Sequence, residues 1–344
     1  METLELLKRL TSAYGVSGSE EGVTAVIKEL LEPLGEVNID HLNNVTCSFG
    51  EGYHFMLDAH IDEIGLIVKN ITDGGFLKVS NLGGVDRRML LGYEVDIHGT
   101  ANGKQTDLRG VISTLPPHLQ NDGDSKKAPE LKDISIDTGF TKAEVERYIQ
   151  PGDRATFRRN FTTLLGTRLS SSVLDDRCGV AAIILAAYKL KDVNAKITVL
   201  CSSQEEVGGR GASIAPYGRD VDEAIAVDVT FADSPLCSHK DLGELGKGAM
   251  VGFSPVLDKT MSNKLIEVAK KNNIPYQTEV MGGRSTGTNA DEISLVQSGI
   301  RTGLLSIPER YMHSPAETID IKDVEYTAEL IAAYVRERAG EINA

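Results

Sequence analysis

Apolar positions along this chain follow two different periods, and the change of period divides it. Leu4, Leu7 and Leu10 recur among charged neighbours at helical spacing, which predicts an amphipathic helix over residues 3–14 rather than a signal peptide. A second helix is expected after SGSEEGV, whose serine and glutamate spacing resembles a capping box, and an apolar strand follows in YHFMLDAH. Beyond residue 174 the expected order is helix (179–190), strand (196–201), short helix, strand (223–229), helix (260–272), helix (291–297) and strand (302–307). This alternation predicts an α/β fold with a layered sheet.

The middle of the chain keeps the other period. From about residue 68 to 165 it is rich in glycine and in short β-like runs, GGFLKVSNL, YEVDIHG, LRGVIST and DRATFRR, with turn signals at the intervals of a small β-barrel or sandwich. The expected organisation is an α/β domain made of residues 1–67 and 166–344, with a β domain, 68–165, inserted into it. Within the insertion LQNDGDSKKAPELKD is polar, carries Gly and Pro, and reads as a mobile loop.

Several apolar runs begin or end in residues that bind divalent metal. MLDAHIDEIG carries His60 and Asp62, VLDDRCG opens a helix with Asp175 and Asp176, CSSQEEVGG presents Glu205 and Glu206, IAVDVT holds Asp228, and IPERYMHSPAE holds His313. Ligand crevices of open α/β sheets lie at the carboxyl ends of the strands, so these residues can share one site. Taken singly each has a plainer reading: His60 as a core histidine, Asp228 as a helix cap, His313 as a surface residue, the glutamates as a charged loop tip. Together, two imidazoles and several carboxylates with no thiolate suit catalytic zinc, cobalt or manganese rather than structural zinc. One carboxylate bridging two cations roughly 3.5 to 4 Å apart would leave an acidified water between them. If one of the adjacent glutamates binds metal, the other can take that water's proton and deliver it to a leaving amine. Spacing leaves open which of Asp175 and Asp176 bridges, and which of Glu205 and Glu206 binds.

Composition narrows the partners. A chain of 344 residues accommodates two domains or one with a large insertion. Its net charge of -14, with no clustered Lys/Arg stripe, argues against a nucleic-acid partner. GVAAIILAAY falls well short of the roughly 20 residues of a membrane span and reads as a buried helix, so no membrane partner is expected. Cys47, Cys178, Cys201 and Cys237 show no C-x-x-C spacing and lie in or beside apolar segments, which suits the reduced core thiols of a cytoplasmic protein.

In that order, DAHIDEIG, LDDRCG, QEEVGGRGA, AVDVT and YMHSPAE resemble the five metal-site motifs of the tetrahedral aminopeptidases, also called glutamyl or deblocking aminopeptidases, over nearly the whole chain. The resemblance implies an aminopeptidase acting on short peptides, with a mixed-sheet three-layer metallopeptidase domain and an inserted small, PDZ-like β-barrel. It implies two divalent metal ions per subunit, zinc or cobalt. His60 and Asp228 would hold one, Glu206 and His313 the other, with Asp175 bridging, Glu205 as general base and Asp62 orienting His60. A cis peptide between Asp175 and Asp176 and a substrate-side position for GGRSTGTNADE are implied too, whereas GGRGA reads as a tight turn into a helix. The family assembles as dimers built into a hollow dodecamer, and the insertion, set away from the ligands, is expected to mediate oligomerisation. A dinuclear carboxypeptidase or deacylase is the nearest alternative, because related folds share the metal set. An endoglucanase fits less well: glycoside hydrolysis needs carboxyls about 5 to 9.5 Å apart flanking the bond, and the chain has no tryptophan for a sugar platform. A non-enzymatic binding protein would require missing ligands, and none is missing.

Overall fold

A computed structural model of the chain describes residues 2–119, 128–235, 237, 242–283 and 285–344. It begins with α1 (Thr3–Ser12), which buries Leu6, Leu7 and Leu10, and α2 (Glu21–Leu31), which buries Val23, Ile27, Leu30 and Leu31. The expected capping box does not form. Ser17 donates instead to Asp62 Oδ2 at 2.6 Å and Ser19 to Glu21 Oε2 at 3.2 Å, while Glu20 precedes α2 without a side-chain cap. Strands β1 (Glu36–Ile39), β2 (Val45–Phe49) and β3 (His54–His60) follow.

The chain then closes a barrel from β4 (Gly65–Ile71), β5 (Leu77–Leu82), β6 (Glu94–Gly99), β7 (Thr106–Ser113), β8 (Ser135–Asp137) and β9 (Arg154–Phe157), with the one-turn helix α3 (Lys142–Val145) before the last strand. The order around the barrel is β4-β5-β8-β7-β6-β9, with antiparallel neighbours. Leu66, Val68, Leu77, Val95, Ile97, Ile112, Ile136 and Phe157 fill it, so the barrel has a core of its own. Its first strand starts at Gly65, ahead of the glycine-rich run that suggested residue 68. Of the expected mobile loop, residues 120–127 lie outside the described residues, and Leu131–Asp133 forms a short 3-10 turn.

After the barrel come β10 (Thr162–Thr163), β11 (Arg168–Ser171), α4 (Leu174–Lys189), β12 (Lys196–Ser202), α5 (Arg210–Ile214), β13 (Glu223–Phe231), β14 (Ala249–Phe253), α6 (Lys259–Asn272), β15 (Tyr276–Val280), α7 (Asn289–Ile293), β16 (Arg301–Glu309), β17 (Glu317–Asp320) and α8 (Ile321–Ile342). The main sheet runs β1-β2-β12-β3-β13-β16-β14-β15, parallel from β12 through β16 and antiparallel where β2 and β14 join it. Strand periodicity supplies both faces. Phe55, Leu57 and Ala59 of β3, with Ile197 and Val199 of β12, pack into the core shared with α1, α2, α4, α6 and α8. Met56 and Leu200 point the other way, toward Ala212 of α5 and Ile293 of α7. The result is the three-layer arrangement expected for this fold class.

Several boundaries differ from expectation, each for a local reason. Helix α4 is assigned from Leu174, ahead of the apolar run at 179, but Asp175 and Asp176 depart from helical φ/ψ, so its regular part begins only after them. Helix α7 stops at Ile293, short of 297, and the chain turns soon after through Gln297 at φ +57°. Edge strands β1 and β15 bury little, so their residues carry no apolar run to announce them. All four cysteines are unpaired. Among the described residues no helix is long and apolar enough to cross a membrane.

Strand β13 opens with Glu223, 1% exposed, which accepts from Tyr53 (3.0 Å), Tyr334 (2.8 Å) and Arg338 (2.7 Å) and faces Arg301 at 3.2 Å. Replacing it, Glu223→Ala, leaves the buried Tyr334 hydroxyl and Arg338 without this acceptor. Urea unfolding should register a loss of about 3 kcal/mol or more. A loss below about 0.5 kcal/mol, the range of ordinary surface substitutions, would show that the cluster does not hold α8 to the sheet.

Candidate metal centre

Parallel pairing sets the site at one end of the sheet. The register aligning Ala226 with Asp58 carries Asp228 to the same level as His60, two residues further along each strand, and Ser202 lies beside His60 on β12. The imidazole of His60 has Nδ1 at 3.1 Å from the Asp62 carbonyl oxygen and 3.5 Å from Asp62 Oδ1. Its Nε2 lies 3.0 Å from Asp175 Oδ1 and 3.9 Å from Asp228 Oδ1. Asp175 turns its other oxygen, Oδ2, to His313 Nε2 at 3.4 Å, and that nitrogen is also 3.4 Å from Glu206 Oε1. One carboxylate thus stands between two imidazoles.

Neighbouring groups fix these side chains. Asp62, fully buried, accepts from the backbone N–H of Glu205 (2.9 Å) and Glu206 (3.2 Å), and from the Ser17 hydroxyl. The glutamate pair is therefore anchored by the residue that also touches His60. The peptide between Asp175 and Asp176 is cis, as the family resemblance implied, and both residues depart from helical φ/ψ. Asp176 accepts from His60 N at 3.3 Å and Gly179 N at 3.1 Å, capping the regular part of α4. A Cβ on Gly179 would stand 2.2 Å from Asp176 Oδ1, so only glycine fits there.

Three parts of the site escaped the sequence reading. Glu317, the last residue of YMHSPAE, accepts from Leu174 N (2.7 Å) and Asp175 N (3.2 Å), and so aims the Asp175 backbone. Glu309 ends β16 buried, with neither carboxylate oxygen finding a partner among the described residues. The third part corrects the expectation that the insertion lies away from the ligand set. A Cβ on Gly84, in the turn after β5, would fall 2.5 Å from His313 Nδ1, and one on Gly83 2.8 Å from Glu206 Oε2. The barrel is packed directly against two of the expected ligands. In GGRSTGTNADE, Arg284 lies outside the described residues, while Asn289 is tied below the site to Asp58 and Ser202.

Burial and crowding set the electrostatics. Burial raises the Glu205 carboxyl to about 7, opposed by His60 and reinforced by Glu206 and Asp175. Asp228 is pushed well above the carboxylate range by burial, against the pull of His60. His313 goes up to about 11: burial works against its charge, but Asp175 and Glu206 more than compensate. Asp175 moves down, because its bonds to His313 and His60 outweigh burial. More buried carboxylates than imidazoles meet here, and low-dielectric surroundings leave that surplus charge in need of protons or cations.

The donors fit cations. With Nδ1 paired to Asp62, His60 presents Nε2 among carboxylates; against burial, Asp175 and Asp62 hold the ring protonated, and a cation at Nε2 would displace that proton. Donor atoms of His60, Asp176 and Asp228 lie within 4.8 Å of one another, as do those of His60, Asp175 and Glu206. A buried nitrogen and oxygen set without thiolate matches the preferences of zinc, cobalt and manganese.

A layered sheet with histidine and carboxylate donors gathered at its strand ends defines the hydrolytic metallopeptidase class. The M42 glutamyl aminopeptidase family model matches residues 43–330, and the chain belongs to that family. It is 37% identical over 339 residues to the lysyl aminopeptidase of Pyrococcus furiosus, covering 97% of this chain and 96% of the relative. Among solved structures, an aminopeptidase from the archaeon Desulfurococcus kamchatkensis superimposes with a TM-score of 0.91 at 34% identity, covering 97% of this chain and 94% of that one. The Pyrococcus horikoshii TET1 peptidase, described as assembling into a tetrahedron or a large octahedral shell, gives 0.85 at 33% identity over 98% of this chain and 100% of that one. The chain is thus a peptide hydrolase of the aminopeptidase class.

Metal uptake should be strongly pH-dependent. If the expected ligands bind cations, His313, held charged through the neutral range in the metal-free protein, and the proton-bearing carboxyls would first release protons, so affinity would rise with pH. Titration calorimetry with zinc between about pH 6 and 8, in buffers of different ionisation enthalpy, should show net proton release. An affinity independent of pH would contradict this assignment.

Proposed function

We propose that the chain is a dinuclear metallo-aminopeptidase removing N-terminal residues from short peptides. The observation that carries the reading is Asp175, whose two oxygens face two different imidazoles. In this reading His60 and Asp228 would hold one cation and His313 and Glu206 the other, with the Asp175 carboxylate between the two sets. When bound, zinc or cobalt would supply Lewis-acid polarisation of the scissile carbonyl and of water. Glu205 would take a proton from the attacking water and return it to the leaving amine. In the metal-free protein burial raises its carboxyl to about 7, and the positive charge of bound cations would lower it toward the ionised form a base needs. Asp62 keeps His60 in the Nδ1–H tautomer and fixes the backbone of Glu205 and Glu206. Assembly into a tetrahedral dodecamer is supported by likeness to TET1 peptidase structures, one a tetrahedron or octahedral shell and one a dodecamer, and a cytoplasmic setting by the unpaired cysteines.

Two substitutions separate the adjacent glutamates. Glu205→Gln should keep both cations and lose about 10² to 10⁴-fold in kcat, since an amide cannot accept the proton. Glu206→Gln should weaken one cation directly by replacing a charged ligand with a neutral one. Metal content by mass spectrometry beside kinetics on a dipeptide with a free N-terminus decides between them. A Glu205→Gln enzyme with near wild-type kcat removes the general-base role. Faster cleavage of N-terminally blocked than of free peptides would favour a deacylase or carboxypeptidase.

For the assembly, light scattering at micromolar concentration should give a particle larger than a monomer. A stable monomer would contradict the oligomeric reading.

A further inference from the structure

His313 stands in a loop closed at its base by Arg310 pairing with Thr318 and turned by Ser314 N donating to the Tyr311 carbonyl. Its φ is +60° and that of Tyr311 is +63°, the left-handed region that residues with a Cβ seldom adopt and that persists only where surroundings impose it. Much of the imposing surroundings belongs to the inserted barrel and the segment leaving it. Asn160 donates from Nδ2 to the Pro315 carbonyl at 2.8 Å, and the Tyr93 hydroxyl donates to the same oxygen at 3.3 Å. The N–H of Asp86 points to the His313 carbonyl at 3.4 Å. Gly84 lies against the imidazole itself.

Asn160 is in turn fixed at both sides. Its Oδ1 accepts from Ser172 N at 2.9 Å, and its neighbour Arg159 makes two 2.6 Å bonds to the buried carboxylate of Glu63, one residue beyond Asp62. The residues just past β9 therefore grip both histidine-bearing loops. We propose that the barrel is a positioning element of the metal centre, with Gly84 and Asn160 setting where the His313 imidazole stands. This rests on the reading of His313 as a metal ligand.

Two variants isolate the contacts. Gly84→Ala leaves the backbone unstrained, because Gly84 is not among the residues at positive φ, so its effect falls on the imidazole 2.5 Å from the new Cβ. Asn160→Asp keeps the acceptor for Ser172 N and loses the donor to Pro315. The full-length metal-free proteins are titrated with zinc by calorimetry and melted without metal, with His313→Ala as reference. Expected is one cation bound as in wild type and a second weakened about 10 to 100-fold, the usual cost of losing a group that orients a ligand, with the metal-free melting temperature unchanged. If His313→Ala loses a cation but both variants titrate as wild type, the proposal is overturned and the metal reading stands. Equal weakening of both cations together with a lower melting temperature also overturns it, since that marks general structural damage. If His313→Ala itself titrates as wild type, His313 is no ligand and the proposal falls with that reading.

Discussion

The carboxylate of Asp175 between His60 and His313 is the contact around which the catalytic layer is organised. Four consecutive residues at the start of α4 secure it. Leu174 and Asp175 give their N–H groups to Glu317 on β17, and Asp176 caps its own helix at Gly179. Arg177, fully buried, donates to the carbonyls of Ile61, Leu10 and Ala13, joining the loop after β3 to α1. Such an arginine is costly to bury, and its pKa is drawn down to about 10 by burial against the pull of Glu63. The cost is offset because each carbonyl it satisfies would otherwise be an unpaired polar group in the interior.

Stability and function pull against each other at this point. Burial pushes Glu309 and Glu317 well above the usual carboxylate range, reinforced by Glu317 and Asp175 for Glu309 and by Asp175 for Glu317. A fold selected only for stability would replace such groups with apolar ones of similar volume. Kept as protonated acids in the metal-free protein, they are groups that can ionise to offset the charge of cations held at that end of the sheet. The opposite end shows a balanced arrangement, with Glu223 matched by two tyrosines and two arginines.

How much of this was legible in the sequence depends on whether a residue announces its role by type. His60, Asp228 and His313 stand at the ends of apolar runs, so strand periodicity and the strand-end rule were enough to gather them. The choice between Asp175 and Asp176 was not legible from spacing, because it turns on which carboxylate faces the imidazoles and which caps Gly179. Ser17 misled for a similar reason: a hydroxyl before a helix reads as a cap, yet a buried carboxylate from another segment, Asp62, is the stronger acceptor. Edge strands β1 and β15 were silent for lack of buried apolar positions, and Gly83 and Gly84 because glycine has no side-chain chemistry to read. What they contribute is the absence of a Cβ where His313 and Glu206 need the space.

That absence bears on why a barrel should be inserted at this place in the chain. Strand ends form an open rim, and residues on rims are mobile unless something stiff closes over them. A closed barrel has no free edges and its own apolar core, so the turn between β5 and β6 is presented on a rigid support. The chain enters the barrel five residues after His60 and leaves it through Arg159 and Asn160, which return to Glu63 and Pro315. Both connections therefore meet the histidine loops. Inserted here, a single rigid body meets both loops, which couples the seating of the barrel to the spacing of the imidazoles.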